Sequence, residues 1–179
     1  MNIAGIDYSM SCPAICVCDK DNISFSNCHI YYITSMKKYS HPYENICPIF
    51  YKDWETDIER YDFLSQTVID ILAKHDVERV FIEGYSYGSK GLQFNVGELT
   101  GILKYKLLIS NICAIIIPPS KVKKYATGKG NANKFGMNEA FEEEFKLSTL
   151  NKIYEVGKSP LADMIDAFYI MKCGEHDIT

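Results

Sequence analysis

The alternation of chain period between residues 58 and 119 restricts the topology more than any other feature. Apolar positions Ile58, Tyr61, Phe63, Leu64, Val68, Ile71 and Leu72 recur at helical spacing up to about Lys74. RVFIEG (79–84) then reads as a short buried strand, and LQFNVGELTGILKYKLLIS (92–110) as a second helix. CAIIIPP (113–119) is another apolar strand, stopped by its double proline. Strands separated by helices of this length are joined by crossovers and lie parallel in one sheet.

Upstream the pattern differs. NIAGID (2–7), PAICVCD (13–19) and ISFSNCHIYYI (23–33) are β-prone runs in close succession, with DNIS (21–24) predicted as a tight hairpin connection. Residues 35–54, with two prolines and many aromatics, read as an inserted surface loop. Downstream, helices are predicted near 120–126 and 134–146, with a last one beginning near Pro160 after Ser159 as N-cap. The 179 residues and 20.4 kDa fit one domain, 1–179, with no repeat or linker. Three meandering strands followed by two crossover strands predict a mixed α/β domain: a five-stranded sheet flanked by helices on both faces. That is the layout of the ribonuclease H-like fold, which several chemistries share.

Composition excludes little. The formal net charge of −4 gives no bulk reason to expect a nucleic-acid partner. No run is long enough to span a membrane, and Asp7 interrupts the opening apolar run with no basic leader before it, so a cytoplasmic protein is expected. The seven cysteines form no CxxC pair and read as reduced, mostly buried thiols rather than a zinc site.

The carboxylates carry the chemistry. In PLADMIDAFYI (160–170), Asp163 and Asp166 lie three apart in a segment otherwise suited to burial. Asp7 ends the run IAGID, and Glu83 ends VFIE. Each alone is explained by a solvated strand end or by a helix dipole. Together, three apolar segments deliver acids where an unpaired charge is costly, and parallel strands gather functional groups at their carboxyl ends. Hard oxygen donors on a rigid frame suit Mg²⁺ or Mn²⁺, and two such ions can drive phosphodiester hydrolysis. A second signal is charge distribution. Lys121, Lys123, Lys124, Lys129 and Lys134 fall between Ser120 and Asn138 with no acid among them, around Gly128 and Gly130. Such a segment suits close approach to phosphate.

IAGIDYS, the FIEG strand end, VKKYATGKGNANK (122–134) and ADMIDA, in that order, resemble the RuvC family of Holliday junction resolvases, in spacing most like members from bacteriophages and large DNA viruses. The resemblance runs from Asn2 to about Cys173. It implies a metal-dependent endonuclease that resolves four-way and branched DNA, leaving 5′-phosphate and 3′-hydroxyl ends. It further implies metal ligation by Asp7, Glu83, Asp163 and Asp166, with two ions per site expected, and active-site roles for Lys123 and Lys134. Lys121, Lys124 and Lys129 are expected to contact DNA backbone on charge grounds. The family's aromatic three residues after the glutamate is replaced by Ser86, so Tyr85 and Tyr87 are the stacking candidates in GYSYGSKGLQF (84–94). The family is dimeric, and Gly97 and Gly101, one helical turn apart, mark the second helix as a candidate homodimer interface, although a close contact within one chain explains them equally well. Alternatives are a ribonuclease H-like nuclease on flaps or RNA–DNA hybrids, a junction-binding protein that does not cut, and an actin-like kinase, for which MSCP (10–13) lacks the phosphate-binding glycines.

Overall fold

The computed structural model describes residues 1–51, 53–84, 93–146 and 149–178. Its sheet has strands β1 (Asn2–Asp7), β2 (Ala14–Asp19), β3 (His29–Thr34), β4 (Ile46–Phe50), β5 (Val77–Glu83) and β6 (Cys113–Ile117), in the order β4-β3-β2-β1-β5-β6. Only β2 runs against its neighbours: β1 and β3 pair with it antiparallel, while β3–β4, β1–β5 and β5–β6 are parallel. The carboxyl ends of β1, β3, β4, β5 and β6 therefore share one edge of the molecule.

Among the described residues the sheet has six strands where the sequence predicts five. The sixth, β4, lies inside the stretch read as an irregular insertion. Its Pro48 lacks an N–H and would weaken a central strand, but β4 is an edge strand, where proline is tolerated. A second difference lies upstream of β3: Phe25–Asn27 form a 3-10 turn and the strand begins only at His29, so the hairpin connection is longer than DNIS.

Helices α1 (Asp57–Lys74) and α2 (Gln93–Ile109) cover one face; α3 (Pro119–Thr127), α4 (Lys134–Phe145), the short α5 (Leu150–Ile153) and α6 (Leu161–Ile178) lie on the other. Thr56 and Glu59 form a reciprocal capping box that starts α1. Strand alternation divides β1 and β5 between the two layers. Ala4, Ile6, Val80 and Ile82 pack toward α1 and α2, whereas Ile3, Gly5 and Phe81 face α6. By the same alternation Asp7 and Glu83 face α6. A Cβ on Gly5 would overlap the Ala167 carbonyl oxygen and Met171, and one on Gly174 would overlap the Phe81 ring. Helix α6 thus lies on the sheet at a separation only glycine permits. Among the described residues, no helix is long and apolar enough to cross a membrane.

Candidate metal centre

The register of β1 on β5 pairs Ile6 with Ile82, which sets Asp7 beside Glu83 at the shared carboxyl edge. Helix α6 begins directly over this edge. Asp163 sits in its first turn and is 4% exposed; Asp166 follows almost one turn later, partly buried. The four acids line one cleft of about 270 Å³, together with Ser9, Lys123, Lys134 and Met137. Three segments far apart in sequence deliver carboxylates to one place, as the strand ends and ADMIDA predict.

Two lysines reach the cleft. Lys134, the first residue of α4, places Nζ 3.8 Å from Asp163 Oδ1. Asn133 caps this helix by accepting from the Gly136 N–H at 3.0 Å, which fixes its first turn. Lys123 lies on α3, whose start Pro119 pre-sets and whose end Gly128 closes at φ 76°, in the left-handed region. The Thr127 hydroxyl donates to the Lys123 carbonyl at 2.8 Å and accepts from the Lys129 N–H at 3.1 Å, tying the TGKG turn to the helix.

Two cations do not balance four carboxylates, one buried and three half-buried. Burial raises Asp7 well above the ordinary aspartate range, and repulsion from Asp163, Asp166 and Glu83 raises it further against the pull of Lys134. Asp166 is pushed up to about 7 by burial and then by Glu83 and Asp163. Glu83 is raised by burial while Lys123 and Lys134 oppose. Asp163 is raised by burial, although Ser159, Lys134 and Cys12 ease its ionisation. Its Oδ2 is nonetheless buried with no hydrogen bond of normal geometry. An orphaned buried carboxylate oxygen among mutually repelling oxygen donors is the environment a divalent cation relieves. The chemistry of the donor set suits such an ion, since Asp7, Glu83, Asp163 and Asp166 supply only hard oxygen. Among the described residues, however, no three of these groups stand close enough to hold one as placed here, so ligation would draw the carboxylates together.

The remaining predicted residues separate. Lys121 points away from the cleft and forms an ion pair with Asp177 near the end of α6. Lys124 and Lys129 are exposed, Lys129 on the turn beside the α4 amino end. Tyr85 and Tyr87 lie outside the described residues. Sequence reasoning missed Ser9, Cys12 and Ser159. Ser9 lines the cleft and accepts from the Cys12 N–H at 3.2 Å; Cys12, read only as one more apolar cysteine, faces Asp163. Position was the available signal: all three flank a predicted ligand at a strand end or a helix start.

The sequence matches no protein-family model and no curated protein. Solved structures do match. The chain is similar to RuvC of Thermus thermophilus in complex with Holliday junction substrate, with a TM-score of 0.67 and 18% identity over 100% of this chain and 97% of that one. It is similar to the fowlpox virus resolvase in its complex with Holliday junction DNA (TM-score 0.56, 18% identity, 99% of each chain covered). The yeast mitochondrial Holliday junction resolvase Ydc2 matches at a TM-score of 0.56 and 13% identity, over 98% of this chain and 80% of that one. The chain therefore has the ribonuclease H-like fold of the RuvC-type Holliday junction resolvases.

Proposed function

We propose that the protein is a metal-dependent endonuclease that resolves four-way and branched DNA junctions by phosphodiester hydrolysis. One observation carries the reading: four carboxylates from three segments converge in one cleft with, among the described residues, two lysines beside them. Asp7, Glu83, Asp163 and Asp166 would hold Mg²⁺ or Mn²⁺, two ions in the expected arrangement. A bound divalent ion supplies an activated water and stabilises charge on the leaving oxygen. Lys123 and Lys134 offset the negative charge of the scissile phosphate as it enters an acidic cleft, and the α4 amino end beside Lys134 adds its partial positive charge. Lys124 and Lys129 extend the basic surface along the flanking backbone. Lys121 would join them only on leaving Asp177.

The partner reading is a second copy of the chain. On α2, Phe94, Tyr105, Leu108 and Ile109 are exposed, at 60–86%. They share one helical side with Gly97 and Gly101, where an added Cβ would meet nothing within 4 Å. The glycines therefore serve no close contact among the described residues of this chain, which favours the homodimer explanation. Two copies of the centre would cut two strands.

Purified protein offered a four-way junction, a flap and an RNA–DNA hybrid, each with and without Mg²⁺, tests the reading. Paired incisions confined to the junction and dependent on Mg²⁺ are expected. Preference for the hybrid or flap would replace the substrate class. Tight junction binding with no cutting in Mg²⁺ or Mn²⁺ would make it a binding protein.

A further inference from the structure

The metal cleft has a neighbouring surface that the four acids and the two lysines beside them do not explain. Phe135 follows Lys134 on the first turn of α4 and is 58% exposed. Single exposed apolar side chains are ordinary; the placement of this one is not. Its ring tip lies over Gly157, where a Cβ would come within 3.1 Å of Cζ, and Gly157 adopts φ 73°, a conformation suited to glycine. Gly157 belongs to the turn leading to Ser159, which faces Asp163. The ring therefore bridges two segments that each deliver a side chain to the metal centre, and it still leaves much of its surface open.

The surface continues away from the cleft as a basic strip. Lys158, next to Gly157, and Lys38 both donate to Glu155, at 2.7 and 2.6 Å, and both are largely exposed. Lys38 comes from the inserted segment, in the 3-10 turn Lys37–Tyr39 that follows β3 at the carboxyl edge of the sheet. This turn is fixed rather than loose. Tyr39 is buried, its ring 5.3 Å from that of Tyr154, and its carbonyl accepts from the Tyr32 hydroxyl at 2.6 Å. Glu155 is shared by Lys38 and Lys158, and the exposed Lys37 adds a further positive charge beside them.

We propose that Phe135 stacks on a base exposed near the branch of the bound DNA, and that Lys158, Lys38 and Lys37 hold the adjoining backbone as it leaves the cleft across the end of β3. The inserted segment would thus add a DNA contact that a chain without it lacks. This inference rests on the junction reading of the metal centre. Stacking of a base on an aromatic ring accounts for an uncharged, sequence-tolerant share of affinity, whereas lysines contribute through counterion release. The two parts can be measured separately.

The test uses full-length protein and four-way junctions carrying 2-aminopurine at the branch, with binding followed in Ca²⁺ over a range of salt concentrations. Phe135→Ala is expected to weaken binding about ten-fold at unchanged salt slope and to abolish the fluorescence change seen with wild type; Phe135→Trp should restore both. The pair Lys38→Ala and Lys158→Ala should lower the slope of log K against log salt by about one to two. Glu155→Gln should tighten binding, an effect that a merely internal ion pair would not produce. Wild-type affinity and fluorescence in Phe135→Ala, at an unchanged melting temperature, would overturn the stacking role, and an unchanged slope in the lysine pair would overturn the strip. A wild-type protein with no preference for the junction over linear duplex would instead refute the junction reading itself, so the two failures are distinguishable.

Discussion

Helix α6 buries acids at both of its ends, and the two ends treat them differently. Near its carboxyl end, Glu175 is 7% exposed and accepts from Arg79 on β5 at 3.3 Å. Near its amino end, Asp163 is equally buried, yet its nearest lysine is 3.8 Å away, one of its oxygens has no partner, and three more acids crowd it. The first arrangement is complete within the chain: charge meets charge. The second is complete only with something added. Burial of an acid is therefore no functional signal by itself; what distinguishes a candidate site is burial that the chain leaves uncompensated.

The largest effects expected from this contrast are on catalysis. Asp7→Asn, Glu83→Gln, Asp163→Asn and Asp166→Asn should each lower metal-dependent junction cutting by orders of magnitude while junction binding survives, since the proposal has lysines rather than acids meet the phosphates. Cleavage rates set beside gel-shift affinities check this. An acid whose neutralisation leaves the cutting rate near wild type belongs with Glu175 and not with the centre.

Glu175→Gln should show the reverse. Arg79 is partly solvated, so the loss of stability should be about 2 kcal/mol rather than the ~3–5 kcal/mol of a fully buried pair, read as a lower urea midpoint. Cutting per folded molecule should be unchanged. If this variant abolished cutting without loss of stability, the two ends of α6 would not be as separate as the geometry makes them.

The last effect is seen only without metal, in the dependence of stability on pH. Folded Asp166 keeps its proton up to about pH 7, whereas the unfolded chain releases it near the ordinary aspartate value of 3.8. Its contribution to stability is therefore full below that ordinary value and is lost as pH rises through about 7. Asp166→Asn cannot lose a proton there, so in chelator its melting temperature should match wild type near pH 4 and exceed it by a few degrees at pH 8. Saturating Mg²⁺ should reverse the order at pH 8. Parallel pH profiles of the two proteins in chelator would place Asp166 in solvent.

The parts of the molecule legible in sequence were those with a local rule. The period of α1, the double proline after β6 and the charge at the ends of IAGID and VFIE each follow from neighbouring residues, and they located both the layers and the four acids. Helix α6 starts close to the predicted place, but at Leu161, which puts Pro160 rather than Ser159 directly before it and leaves Ser159 facing Asp163. The parts that were not legible depend on partners distant in the chain. Strand β4 was hidden because Pro48 argues against a strand until it is known to sit at an edge. Strand β6 looks like a core strand, yet Ile116 is 42% exposed because the sheet ends there. Lys121 looks like the other lysines of its segment, and only the packing of α3 on α6 reveals Asp177 beside it. Cys12 and Ser159 entered the site through the hairpin turn and the α6 lead-in, whose side-chain directions no periodicity reports.

The glycine contact between β1 and α6 has a consequence for how such a centre can be lost. Gly5 lies two residues before Asp7, and the atoms its Cβ would displace belong to Ala167 and Met171 of the helix that carries Asp163 and Asp166. Position 5 thus acts as a shim of zero thickness that sets the gap across which the carboxylates face one another. An alanine there would widen that gap, and a chain could then keep every acid and every lysine of the site and still be unable to hold an ion between them. On the proposed reading, retention of the four carboxylates is thus an incomplete criterion for activity in a relative, and the residue at position 5 belongs beside them.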